Sequence, residues 1–124
     1  MAARINSSQG FKFLKYWLPV ILYAGLIFFL SSLPGEDIPS LFFYQDLVFH
    51  IVEYALFAFL LQRAIKGYRP GWKALLRFSW VFAIALIYAA SDEFHQSFVP
   101  ARVASWYDIA YDTFGILLSQ LIYR

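Results

Sequence analysis

Asp46, His50 and Glu53 stand four and three residues apart in an otherwise apolar stretch. A helix through them would present all three on one face. Asp92, His95 and Gln96 repeat nearly the same spacing, with Glu93 beside them. Further along, Ser105, Asp108, Asp112, Gly115 and Ser119 form a third stripe at helical intervals, and Arg102 is the one base nearby. Carboxylates beside imidazoles suit general acid–base work, cation binding, or recognition of amines and hydroxyls. An Arg adds a planar fork that fits a phosphate or carboxylate, or an ion pair with Asp92 or Asp108. For acid–base chemistry the candidates are Asp92 or Glu93 as base, with His50 or His95 as partner. A divalent cation such as zinc or manganese fits among Asp46, His50 and the acids at 92 and 93. The spacing matches no established metal motif such as His-Glu-x-x-His, and no ligand set is singled out.

These groups must be held by something, and the composition says what. Of 124 residues, 61% are hydrophobic and 15% charged, against about 25% charged in an ordinary soluble domain. The absence of cysteine excludes disulfides, thiolate catalysis and cysteine-based zinc sites. The length allows one compact unit. Four apolar runs, near 17–33, 43–64, 75–90 and 106–123, are each about the length of a membrane helix. Pro19 is expected in the first turn of the first run, where its missing N–H costs little. Ser31-Ser-Leu-Pro-Gly35 should end that run, and Gly67, Pro70 and Gly71 mark a basic loop over 63–73. A basic start before an apolar run is also a feature of secretory signals. The run is long for a signal and has no small-x-small site, so a retained first helix is expected.

Charge sets the expected orientation. Nine of the ten Lys and Arg residues fall at the amino terminus (Arg4, Lys12, Lys15), in the 63–77 region or at Arg124. The positive-inside rule places these segments in the cytoplasm. The 34–45 and 91–105 connections then lie outside. The reading is an all-α integral membrane protein with four transmembrane helices and both termini cytoplasmic, made of a cytoplasmic segment over 1–15 and a membrane domain over 16–124. Basic residues so distributed serve topology and contact with membrane lipids, and no nucleic-acid surface is expected.

Orientation also brings the three polar stripes together. Because the fourth helix descends from the outside, Asp108 and Asp112 are expected at the depth of His50 and Glu53. Interhelical hydrogen bonds in membranes average only about 0.6 kcal/mol, too little to justify burying three ionisable groups on one helix for stability alone. The stripes are expected to face each other around an outer polar cavity lidded by 91–105, with Ala55, Ala58, Ala83, Ala85, Ala89 and Gly115 allowing close helix approach. Six acids there stand against Arg102 and two histidines. That imbalance is relieved by protonation of some of the acids, or by a bound cation or cationic group.

Ser91-Asp-Glu-Phe-His-Gln96, followed by Phe98-Val-Pro-Ala-Arg102, Ser105, Asp108 and Gly115, resembles the signature of VanZ-like membrane proteins. Asp46-x-x-x-His50-x-x-Glu53-Tyr54 is similar to that family's second-helix motif, and Ser31-Ser-Leu-Pro34 to its first loop. Three positions depart from the pattern: Leu47 where Lys is frequent, Ala101 where Gly is usual, and Asp112 where Asn is common. The resemblance implies a bacterial cytoplasmic-membrane protein related to one linked with low-level teicoplanin resistance. It implies no particular chemistry. The expected function is binding or modulation of a cell-envelope lipid or lipid-linked intermediate by Asp46, His50, Glu53, Asp92, Glu93, His95, Gln96, Arg102, Ser105, Asp108 and Asp112. A membrane enzyme acting on such a lipid is the alternative. A proton-coupled transporter ranks below both, since four helices enclose little volume without a homodimer and no inner helix is broken.

Overall fold

The structure, a computed structural model, describes residues 7–123. The basic residues Arg4 and Arg124 lie outside the described residues. Four helices follow one another: α1 (Ser7–Ser31), α2 (Gln45–Tyr68), α3 (Ala74–Gln96) and α4 (Trp106–Ile122), with one 3₁₀ turn over Gly35–Asp37. Helices are the expected solution for such sequences, because backbone N–H and C=O groups in hydrocarbon must be satisfied within the segment. The helices of α1, α2 and α3 are long and apolar enough to cross a membrane. The fourth has 17 residues, about 25 Å at helical rise, somewhat less than the roughly 30 Å of a hydrocarbon core. Its outward side chains, including Phe114, Leu121 and Ile122, are nevertheless apolar and exposed.

The helices run further than the apolar runs alone suggest. α1 begins at Ser7, so residues 7–15 of the polar amino-terminal stretch are helical. No Gly–Pro break separates them from the apolar part. Pro19 consequently sits in the helix interior and not in a first turn. An interior proline leaves the carbonyl four residues earlier without its N–H donor. That carbonyl is Lys15 O, and Arg63 Nη1 donates to it at 2.8 Å. A base read as a topology signal therefore also repairs the backbone of α1. The 63–73 loop shortens to 69–73, because α2 continues to Tyr68. Likewise α3 continues to Gln96, which puts Asp92, Glu93, His95 and Gln96 on the helix and leaves 97–105 as the connection.

The hub is α2, which packs against each of the other three helices and most extensively against α4. Its buried face carries Tyr54, Phe57, Ala58, Leu61, Ala64 and Ile65. From the neighbours come Ile27, Val81, Ala85, Ala89 and Ile116. Ala58, Ala85 and Ala89 fill the expected close-approach role, whereas Ala83 is exposed. The tightest approach is at Gly115, where an added Cβ would lie 2.3 Å from Ile51 O. Glycine is what lets α4 reach α2 at that depth.

The connections at the α1–α2 and α3–α4 end are tied together. Gly35 N donates to Pro100 O at 3.1 Å, and a Cβ on Gly35 would lie 1.9 Å from Ala101 O. Next to that contact, Ala101 has φ 59°. A left-handed L-residue costs roughly 1–2 kcal/mol, while glycine loses about 0.5–1 kcal/mol more backbone entropy on folding. Ala101→Gly is therefore expected to raise stability by up to about 1 kcal/mol. A melting temperature in detergent equal to or below that of the parent would contradict this.

Candidate functional site

At the α1–α2 end of the bundle, the polar stripes meet as their spacing requires. His50 Nδ1 donates to Asp112 Oδ1 at 2.6 Å, joining α2 to α4. On the other side of the ring, Nε2 is 3.8 Å from Asp108 Oδ1. The register that brings Asp112 to His50 is set by the Gly115–Ile51 approach one turn further along. Asp112 is fully buried, with 0% exposure. Its second oxygen, Oδ2, has no hydrogen-bond partner.

From α3 come Asp92, Glu93 and Gln96, all buried. Asp92 Oδ2 accepts a hydrogen bond from Tyr54 Oη at 3.1 Å. Glu93 Oε2 accepts from the backbone N–H of Ser105 at 3.2 Å, the N-cap residue of α4. The Ser105 hydroxyl in turn accepts from Tyr107 N. A carboxylate on α3 and a cap on α4 thus fix where the fourth helix begins. Glu93 Oε1 is buried and unpartnered.

Two cavities open here. The larger, about 660 Å³, is lined by residues of both connections together with Asp46, Ser105, Tyr107, Asp108 and Tyr111. The smaller, about 420 Å³, is lined by Tyr23, Leu30, Phe49, Val52, Glu53 and Asp92 among others. Asp46, His50, Gln96 and Arg102 line both. The 97–105 connection contributes Ala101, Arg102, Val103 and Ser105 to the larger one, as the expected lid does. Asp46 itself is exposed at the rim.

Two residues are placed differently from the expectation. Arg102 pairs with neither Asp92 nor Asp108. Its Nη1 donates to Leu33 O at 3.2 Å and to Leu30 O at 3.4 Å. Leu30 O lies in the last turn of α1, where Leu33 N also donates to it, and Leu33 O lies just past the helix. The negative end of the helix dipole favours a cation there. His95 turns toward α1 instead of His50. Its Nε2 is 2.8 Å from Ser32 Oγ, and its ring stacks on Phe28 at 4.5 Å between centroids. It lines neither of these two cavities.

Two tyrosines were not among the expected site residues, although Tyr54 closes the second-helix motif. Tyr54, 0% exposed, carries the hydroxyl that holds Asp92. Tyr23 donates to the backbone carbonyl of Glu53 at 3.0 Å and lines the smaller cavity. A signal existed for Tyr54, because it lies four residues after His50 on the same face of α2, and a buried phenol needs a polar partner. Tyr23 had no such signal, since it sits among aromatic and aliphatic residues of an apolar run.

Chemically, Asp112 fixes the imidazole through Nδ1 and leaves Nε2 beside Asp108 at the cavity wall. An oriented imidazole of this kind can move a proton or bind a cation. Three long apolar helices and a short fourth, closed around a polar cavity at one end, define an α-helical membrane protein. The VanZ/LLP1 family profile matches residues 13–124, and the chain belongs to that family. No curated protein and no solved structure gives a match.

Proposed function

We propose that the chain spans a bacterial cytoplasmic membrane four times, with both ends in the cytoplasm, and binds the headgroup of a cell-envelope lipid or lipid-linked intermediate in its outer cavity. Such binding would alter how a lipoglycopeptide of the teicoplanin type acts at the membrane. One observation carries the reading: a polar cavity and a neighbouring, more apolar one share Asp46, His50, Gln96 and Arg102. An amphiphile has the matching shape, with its polar part in the first and the start of its chain against Leu30, Phe49 and Val52 of the second. The opposite end of the bundle supports the orientation. Lys12 lies over Tyr68, Arg63 over Tyr16 and Lys66 over Tyr123, so the basic residues form a collar with interfacial aromatics.

The test is lipid mass spectrometry on protein extracted in mild detergent, run beside teicoplanin susceptibility of the expressing cells. Arg102→Ala and Asp46→Asn should each deplete the co-purifying envelope lipid several-fold and shift susceptibility toward that of cells lacking the protein. Parental lipid content and parental susceptibility in both variants would refute the reading.

A further inference from the structure

His50, Glu93 and Asp112 come from three different helices, and each offers a ligand atom within 4.8 Å of the other two. The sequence reading fits a cation among Asp46, His50, Asp92 and Glu93; the structure instead joins Asp112 of α4 to His50 and Glu93. Two features set it apart from an ordinary acidic cluster. Glu93 and Asp112 are 5% and 0% exposed, and each spends one oxygen on a protein hydrogen bond, Oε2 on Ser105 N and Oδ1 on His50. Their remaining oxygens, Oε1 and Oδ2, are buried with no partner. A buried polar atom without a partner costs free energy, and a carboxylate oxygen more than most. Two such atoms beside one imidazole form an arrangement that a cation completes.

We propose that His50, Glu93 and Asp112 hold a divalent first-row metal ion of the zinc or manganese kind. One imidazole nitrogen with two carboxylate oxygens is a donor set for those ions, and it is too nitrogenous for a magnesium or calcium preference. The charge also closes, since one divalent ion balances the two carboxylates. Ligand bonds of about 2.0–2.2 Å place donor atoms roughly 3–4 Å apart, so modest side-chain rotation closes the observed trio around an ion. Nδ1 already faces Asp112 Oδ1 at 2.6 Å, so an ion between them would take Nδ1 in place of that hydrogen bond, with Asp112 as its carboxylate ligand. Asp108, 3.8 Å from Nε2, lies on the other side of the ring and orients the imidazole as an outer partner. Because His50 and Asp108 both line the larger cavity, the open side of the ion would face it, where a phosphate or hydroxyl oxygen can bind. The site stands independently of the lipid reading, because its residues and its test involve the metal alone.

Full-length protein in detergent, stripped with a chelator, is titrated with Zn²⁺ alone and with Mn²⁺ alone by calorimetry. Saturable uptake of one ion per chain is expected for at least one metal. Losing even an outer partner of a metal ligand costs about 10–100-fold in affinity, so Glu93→Gln and Asp112→Asn should weaken binding by about 100-fold or more. Glu36→Gln, an exposed acid outside the cluster, should leave affinity unchanged. Pulsed electron paramagnetic resonance on Mn²⁺-loaded parent protein should show ¹⁴N coupling from one imidazole, which His50→Ala abolishes. The spectrum of the parent keeps the test valid if a variant does not fold. Absence of saturable binding of both metals would overturn the proposal. So would ¹⁴N-free Mn²⁺, or folded E93Q and D112N proteins that bind as the parent does.

Discussion

Gly115→Val is expected to separate α2 from α4 and to be the most damaging single substitution in the transmembrane core. A Cβ at this position would stand 2.3 Å from Ile51 O and 3.1 Å from Ile51 Cα. Those are backbone atoms of the neighbouring helix, so no side-chain rotation can relieve the overlap and the helices themselves must move. Overpacking ordinarily costs about 1–3 kcal/mol, and a clash with backbone should fall at or above the top of that range. The consequence reaches the site, since the same interface holds His50 against Asp112. Gly25 supplies the comparison: no atom lies within 4 Å of a Cβ built there. Gly25→Ala should therefore be neutral, or stabilising by up to about 1 kcal/mol through helix propensity. Reversible unfolding in mixed dodecyl sulfate and detergent micelles measures both. Equal stability of the two variants would mean that the α2–α4 approach is looser than its geometry indicates.

The extent to which all this was legible in the sequence follows from what each signal encodes. Period and depth are properties of single helices, and they sufficed to bring Asp108 and Asp112 to His50. Helix ends were less legible. Asp92 to Gln96 are polar, and hydropathy alone ends α3 before them, yet their backbone bonds continue the helix because the acids find partners in Tyr54 and Ser105 N. Pro19 was misjudged for a related reason, because the donor that satisfies Lys15 O comes from Arg63, 48 residues away.

Partner choice was the least legible. Six acids around one Arg invite an ion pair, and simple charge matching sends Arg102 to Asp92 or Asp108. The structure instead gives those acids to Tyr54 and to the neighbourhood of His50, and gives the guanidinium to carbonyls at and just past the end of α1. Pro34 and the 3₁₀ turn after it end the helical run, and Leu30 O in the last turn of α1 and Leu33 O two residues beyond the helix accept from Arg102. A helix end exposed by tertiary arrangement leaves no trace in local spacing. His95 was diverted in the same way, by a ring and a hydroxyl that α1 brings to it.

His50→Ala should destabilise the protein far more than the loss of one side chain's packing would. Asp112 is completely buried, Oδ2 already lacks a partner, and the imidazole is the only hydrogen-bond partner found for Oδ1 among the described residues. Removing it strands a carboxylate in the protein interior, and breaking a buried pair from one side costs about 3–5 kcal/mol. If that loss comes from the stranded acid, removing the acid as well must recover part of it. His50→Ala/Asp112→Leu is thus expected to be more stable than His50→Ala alone, because replacing a buried pair with apolar residues is often neutral or favourable. The cycle is run in chelator, so that a metal bound by the same residues does not enter the comparison. Additive losses across the three variants would show that His50 and Asp112 are not energetically coupled, and that their 2.6 Å contact is incidental to the fold. A recovered double variant that no longer binds metal would separate the two tasks of these residues: their mutual contact stabilises the fold, and their charge and donors serve the site.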